Sequence, residues 1–400
     1  MYMPISRRDF LIASTAAATI GGVGPSAPRT PPRRRALDPW LEIDASALEH
    51  NVRAVAALAG KRPVIAVAKN NGYGCGLAVV GPLFDRLDVV SVIAVVRADE
   101  ARALAAAGVR KPVLLMGPAS DDEVDELVRA RVRLALYDGS DAARMIRLAR
   151  RVRHAVSVHL YVDTGMHRMG MPHDRVLPWL DDAALRRAIT IEGSFTELTE
   201  DPDFDREQAA RLRALASSGQ ARGMSFGRLH AASSDAIAAS TSETFLDAVR
   251  PGLMLYGGYP TDAMMQRGGL IPVYRLKAHV IRVDRLSPGD GVSYHRRFIA
   301  QQPTSIATLA IGHVDGYPAG AVKGCEVMIR GMLCPVVGTV SASHTVVALK
   351  DDQHVEIGDE ATLVGPDHPA LHPNVVAQRS GWSEYNMFMH LNPMLERRVV

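Results

Sequence analysis

From Trp40 onward, short apolar runs alternate with longer stretches in which apolar positions recur every three to four residues. The runs at 64–69, 89–96, 113–117, 133–138, 156–163, 189–195, 226–231 and 248–250 are short and nearly unbroken, as strands buried on both faces must be. Between them the spacing is helical: Arg97 to Ala107 carries an apolar stripe and stops at Gly108, a residue that ends helices readily. Eight such units in about two hundred residues predict an α/β chain with an N-terminal (β/α)8 barrel rather than an open sheet.

After about residue 260 the pattern changes. Short β-type runs at 274–285, 304–311, 325–330, 332–340, 345–349 and 361–364 are bounded by Gly, Pro and Asp, with few helical patterns among them. A C-terminal mainly-β domain is expected. The predicted division is 1–39 as leader and linker, 40–260 as barrel, and 261–400 as β domain.

Composition agrees with this plan. A chain of 400 residues, 47% hydrophobic and 22% charged, has room for one large core and a smaller domain. A net charge of +3, part of it from amino-terminal arginines, points away from nucleic acid and towards small-molecule chemistry. Cys75, Cys325 and Cys334 form neither a metal spacing nor a disulfide framework, and no HExxH or CxxC occurs, so no metal is expected. Cys325 and Cys334 flank an expected hairpin turn at Arg330-Gly331; they either pair in an oxidising compartment or persist as reduced buried thiols.

The first residues read as an address. Ser6-Arg7-Arg8-Asp9-Phe10-Leu11, followed by the weakly apolar Ile12 to Ile20, resembles a twin-arginine export signal and is too short for a comfortable membrane span; the bland alternative is a basic tail. Residues 25–39, rich in proline and arginine, read as linker. The periplasm is the expected location, because that route exports folded proteins with cofactor already inserted.

In a barrel, reactive groups belong just after strands, on the carboxyl-terminal face. Lys69 closes the first run and leads into Asn70-Asn71-Gly72-Tyr73-Gly74-Cys75-Gly76. Asp163 to Arg168 follow the fifth run, Ser233-Ser234 the seventh, and Arg250-Pro251-Gly252-Leu253 close the eighth. A single lysine ending a strand is most often a solvated cap, and a serine pair before a helix is most often a simple cap. A buried lysine, however, has the lowered proton affinity that Schiff-base chemistry with an aldehyde cofactor requires. Loops after the last two barrel strands commonly hold phosphate, which suits Ser234 and the amides of Gly252 and Leu253.

The segment Ala66-Val67-Ala68-Lys69-Asn70-Asn71-Gly72-Tyr73-Gly74-Cys75-Gly76 closely resembles the pyridoxal-phosphate lysine segment of the alanine racemase family, with Asn71, Tyr73, Gly74 and Gly76 in register. The resemblance runs from residue 40 to the carboxyl end. It includes Trp40 to Asn51, whose first strand in the family joins the β domain. It implies pyridoxal 5'-phosphate as cofactor, bound by Lys69, Tyr73, Arg168, Ser234, Arg250, Gly252, Leu253 and Tyr385. Of these, Ser234, Gly252, Leu253 and Tyr385 are implied to hold the phosphate, and Arg397, twelve residues on, supports the register of Tyr385. Arg250 is implied to donate to the pyridine nitrogen, and an always-charged guanidinium keeps that nitrogen unprotonated. Arg168 is implied near the cofactor's phenolic oxygen and the substrate carboxylate.

Racemisation removes a proton from one face of Cα and returns one to the other, so it needs two bases. The resemblance implies Lys69 and Tyr294, the latter in Gly291-Val292-Ser293-Tyr294 and supplied across a homodimer interface. A phenol works as a base near neutrality only with positive charge close by. An isolated tyrosine in such a run is otherwise core or rim.

The chain departs from the family at several positions. Tyr161 stands where many members carry a carbamylated lysine that props the active-site arginine, and Glu197 where the ring-stacking histidine is. His313 replaces a tyrosine, Ser233 an asparagine, and Ala342 the methionine whose backbone meets the substrate carboxylate. Loss of the methionine side chain implies a roomier pocket accepting longer or polar amino acids, which Glu197 and the added histidines would read. Two other readings stand beside the racemase: a cofactor-binding homologue with little turnover, and an amino-acid decarboxylase or aldolase on the same barrel. Tyr294 opposite Lys69 discriminates against the last of these.

Overall fold

The computed structural model describes residues 37–400; the arginine-rich leader and most of the predicted linker lie outside them. Strand β1 (Trp40–Ile43) is followed by the helix Ala45–Leu58, started by Asp44, whose carboxylate accepts from the Ala47 amide at 2.9 Å. The chain then alternates as its apolar runs predict: β2 (Val64–Val67), β3 (Val90–Val95), β4 (Val113–Leu115), β5 (Val132–Leu136), β6 (Val156–Asp163), β7 (Met171–Pro172), β8 (Ile189–Phe195) and β9 (Arg228–His230).

All pairings in this sheet are parallel, in the order β2-β3-β4-β5-β6-β8-β9, with the two-residue β7 beside β6. The eighth position is the predicted run at 248–250, reduced to bridges. Ala248 pairs with His230 and Val249 with Val64, and the Ile65 amide donates to the Val249 carbonyl at 2.8 Å. That closes the ring. Every residue of β2 is buried, because helices cover its outer face and barrel side chains its inner one.

The second layer is antiparallel except at its β1–β18 edge. Its strands are β10 (Tyr274–Leu286), β11 (Gly291–Val292), β12 (Phe298–Ile299), β13 (Thr304–Leu309), β14 (Glu326–Ile329), β15 (Met332–Val337), β16 (Thr345–Ala348), β17 (Glu360–Val364) and β18 (Glu396–Val399). The main sheet runs β13-β16-β15-β14-β17-β10-β1-β18, and β13 also pairs with β10. The opening strand β1 therefore belongs to the β domain, antiparallel to β10 and parallel to β18, as the family resemblance implies. Between β14 and β15, Arg330 (φ 48°) and Gly331 (φ 78°) are both left-handed, the conformation a two-residue hairpin needs. Cys75, Cys325 and Cys334 are buried and unpaired.

The helical content after residue 260 exceeds the expectation. Helices Pro373–Ser380 and Glu384–Met389 follow β17, the first with proline at its start and Val376 and Ala377 buried, the second with Met387 and Phe388 fully buried. They are only eight and six residues long, too short for an apolar period to stand out in the sequence. Among the described residues, no helix is long and apolar enough to cross a membrane.

Candidate active site

Lys69 opens a short turn, Lys69–Tyr73, just beyond the end of β2. Asn70, Asn71, Gly72 and Tyr73 are all left-handed, at φ 53°, 56°, 64° and 50°. Such a run is unfavourable for L-residues by about 1–2 kcal/mol each, least so for Gly and Asn, which accounts for the Asn-Asn-Gly sequence. Surrounding groups hold the strained turn. Buried Glu100 accepts from the amides of Asn71, Val96 and Arg97 at 3.1–3.2 Å. Asn71 Oδ1 accepts from the Leu77 amide at 3.0 Å, and Arg397 reaches from β18 to donate to the Gly74 carbonyl at 2.8 Å. The turn aims Lys69 and Tyr73 into one cavity of about 250 Å³ at the carboxyl-terminal mouth of the barrel.

Burial holds the Lys69 amine below its ordinary proton affinity. Glu197 opposes that shift, and Arg168 and Arg250 add to it. The amine thus reaches its neutral, nucleophilic form nearer to neutral pH than a surface lysine does.

Arg250, buried at the closing strand, is held from three sides. Its Nη2 donates to the Thr196 carbonyl at 3.0 Å and to Glu197 Oε1 at 2.9 Å, and its Nη1 meets His230 Nδ1 at 3.0 Å. A guanidinium only donates, so His230 Nδ1 accepts; its proton then sits on Nε2, which is 2.9 Å from His159 Nδ1. Burial pushes His159 down to about 4 and His230 well below its ordinary value, which keeps both rings neutral. Phe195 stacks on His230 at 5.1 Å and lies under the Arg250 guanidinium at 5.0 Å.

At the other end of the cavity, buried Ser234 accepts at Oγ from the amides of Gly252 at 3.1 Å and Met254 at 3.2 Å. The second amide that donates to this serine is that of Met254. Leu253 is fully buried and does not line the cavity, because the chain turns into a 3-10 helix at Leu253–Tyr256. Tyr385 lines this end and donates to Asp235 Oδ2 at 3.3 Å. Burial, helped by Glu200, raises the Asp235 carboxyl to about 6. Asp235 and Glu200 are acidic neighbours that the motif reading missed; neither belongs to a recognisable spacing.

Gly252 leaves a cradle. A Cβ there would lie 2.1 Å from the Tyr73 hydroxyl, and Tyr73 is 3% exposed and stacked on Tyr256 at 4.6 Å, so it has nowhere to retreat. If this corner holds pyridoxal phosphate, as the family resemblance implies, Gly252→Ala should weaken its binding roughly tenfold or more, about 1.4 kcal/mol, in equilibrium dialysis. Unchanged affinity would show that this corner holds no part of the cofactor.

Seven predicted residues, Lys69, Tyr73, Arg168, Ser234, Arg250, Gly252 and Tyr385, line this one cavity. Tyr294 and Ala342 do not. Tyr294 is 69% exposed on the β domain, in a loop where Ser293, His295 and Arg296 are all left-handed. Thr339 ties that loop through Ser293 Oγ at 3.3 Å, and the Ala342 carbonyl accepts from Val314, next to exposed His313, at 3.1 Å. Tyr294, His313 and Ala342 thus sit on turns of the β domain outside the lysine's own cavity.

Glu197 has a different place from the one expected. Rather than standing free to read a substrate side chain, it meets two of the protein's own arginines: Arg250 at 2.9 Å and Arg168, through Nη2, at 3.7 Å. Tyr161, stacked on Phe195 at 4.4 Å, also hydrogen-bonds Arg168. These are the supports of an arginine whose partner the sequence left unidentified.

Two family models match the chain: alanine racemase N-terminal domain over residues 43–260, and alanine racemase C-terminal domain over 273–399. An alanine racemase from Desulfovibrio desulfuricans is 33% identical over 339 residues, covering 83% of this chain and 90% of the relative. One from Desulforamulus reducens is 31% identical over 334 residues, covering 82% and 90%. Among solved structures, alanine racemase from Streptomyces coelicolor superposes with a TM-score of 0.82 at 27% identity over 91% of this chain and 98% of that one. The fold is likewise shared with alanine racemase from Clostridium difficile, at TM-score 0.83 and 24% identity over 92% and 97%.

Proposed function

The chain belongs to the alanine racemase family and is an amino-acid racemase, and on that premise we propose that Lys69 and Tyr294 are its two proton-transferring groups, with Tyr294 supplied by a second copy. The observation that carries this reading is the convergence of seven predicted residues, from separate segments of the chain, on one cavity that Tyr294 of the same chain does not line. Tyr294 lies exposed on the β domain instead, as a group serving a neighbouring cavity would.

The residues suit pyridoxal phosphate, the family's cofactor. Lys69 offers a half-buried amine, Gly252 leaves the cradle beside Tyr73, and Ser234 and Tyr385 offer hydroxyls for the phosphate. When bound, the cofactor supplies an aldehyde that captures amines and a conjugated ring that acidifies the substrate's α C–H. Arg250, fixed by His230, Thr196 and Glu197, is the donor for the ring nitrogen; a group that cannot accept a proton leaves that nitrogen unprotonated. Arg168 takes the substrate carboxylate. Lys69 Nζ removes or returns the proton on one side of Cα, and Tyr294 Oη does so on the other, so one proton leaves and one arrives per inversion.

Ala342 supports a substrate range wider than alanine, because a methyl stands where family members carry methionine. Glu197 no longer supports it, being engaged by two arginines. Incubating each enantiomer of an amino-acid panel in deuterium oxide tests the whole reading. The expected result is both enantiomers carrying α-deuterium on an intact carbon skeleton, with turnover of side chains larger than methyl. Carbon dioxide or a cleaved skeleton would establish a lyase instead, and strict preference for alanine would remove the wider range. The Arg7-Arg8 leader supports export of the folded enzyme to the periplasm, part of the same proposal.

A further inference from the structure

Three cations line the cavity, Lys69, Arg168 and Arg250, together with three carboxylates, Glu197, Glu200 and Asp235. Of those carboxylates, only Glu197 forms ion pairs with arginine among the described residues. Its position is fixed from behind. Thr196 and Leu198 on either side are buried, and the Glu197 carbonyl accepts from fully buried Gln208 at 3.0 Å. One oxygen is then held by Arg250, whose side chain is 2% exposed and already anchored by His230 and Thr196. The other faces Arg168, whose side chain is 60% exposed on the loop after β6. Order therefore runs in one direction, from the buried arginine through the carboxylate to the exposed one.

We propose that Glu197 is a positioning residue that transmits the fixed placement of Arg250 to Arg168 and balances the positive charge facing Lys69. The inference deepens the racemase reading, since it takes Arg168 and Lys69 as parts of that site. Tyr161, standing where a lysine-derived carboxylate is found in many family members, offers Arg168 a hydroxyl but no charge, so the counter-charge comes from the neighbouring strand end instead. The charged groups acting on Lys69 are Glu197 and Glu100, which favour its ammonium form, and Arg168 and Arg250, which disfavour it. Removing the Glu197 charge leaves the two guanidiniums opposed by Glu100 alone, so the ammonium loses ground and the amine turns neutral at lower pH.

Two labelling measurements on the full-length, cofactor-stripped protein test this without depending on turnover. Trace acetylation of Lys69 across a pH series, read by mass spectrometry with exposed Lys61 as internal reference, should show the Lys69 midpoint moving to lower pH in Glu197→Gln. It should stay near the unmodified protein's in Glu197→Asp, which keeps the charge. Phenylglyoxal should modify Arg168 faster in both variants, by about two- to fivefold, the range of a partly exposed ion pair, because neither can hold both arginines. The inference is overturned if the Lys69 midpoint in Glu197→Gln stays put or rises, if Lys61 moves with it, or if Arg168 is modified at the original rate. If Glu197→Gln does not fold, the Arg168 rate in Glu197→Asp decides alone. Absence of bound cofactor in the unmodified protein would defeat the racemase mechanism but leave these measurements intact, so the two failures are distinguishable.

Discussion

Lys69→Ala is expected to abolish the visible absorbance of bound cofactor and to lower racemisation by at least about ten-thousandfold. Proton transfer by one positioned group is worth about 10²–10⁴ in rate, and this substitution removes the covalent anchor as well. The fold should survive. Lys69 is only half-buried, and the strained turn behind it is held by Glu100, Asn71 and Arg397 rather than by the amine. Absorption spectra after gel filtration and chiral chromatography of the products are the measurements. A variant that keeps its absorbance and turns over would remove the lysine from the mechanism and leave the cavity without a covalent anchor.

Tyr294→Phe should separate the two functions that Lys69 combines. It is expected to keep the cofactor absorbance and lose about 10²–10⁴ in racemisation rate. Because Tyr294 is exposed and lies outside its own chain's lysine cavity, the loss should be reversible by subunit mixing. If each site draws the two groups from different copies, a mixed dimer of Lys69→Ala and Tyr294→Phe would contain one site with both substitutions and one with neither. Random reassociation puts half of the chains in such dimers, so roughly a quarter of the sites regain both groups. Recovery on that scale from two inactive parents supports the shared site. No recovery under conditions where the subunits exchange would mean that each chain completes its own.

Most of the architecture was legible because it is written in local patterns. The apolar run at 64–67 and the mainly apolar one at 156–163 are strands Val64–Val67 and Val156–Asp163, since a strand covered on both faces carries few polar residues. The hairpin at Arg330-Gly331 was readable for the same local reason. Helices Pro373–Ser380 and Glu384–Met389 were not, being too short to display a period and stabilised instead by burying Val376 and Phe388 in an existing core.

The site divides along the same line. The amino-acid sequence by itself placed Lys69, Ser234, Arg250 and Gly252 after barrel strands, because each follows a short apolar run, and its family resemblance added Tyr73, Arg168 and Tyr385 to them. What the tertiary structure alone decided is which of these groups hold one another. Val249 meets Val64 only when the ring closes, and that closure brings Arg250 against His230, Thr196 and Glu197. It also left Ala342 on the β domain, outside the cavity of its own chain's lysine, as it left Tyr294, which was expected to serve a second copy, and it turned Glu197 from a reader of substrate into a link between two arginines. A carboxylate's partners are fixed by distances of a few ångströms between segments 29 and 53 residues apart, and no periodicity along the chain encodes those.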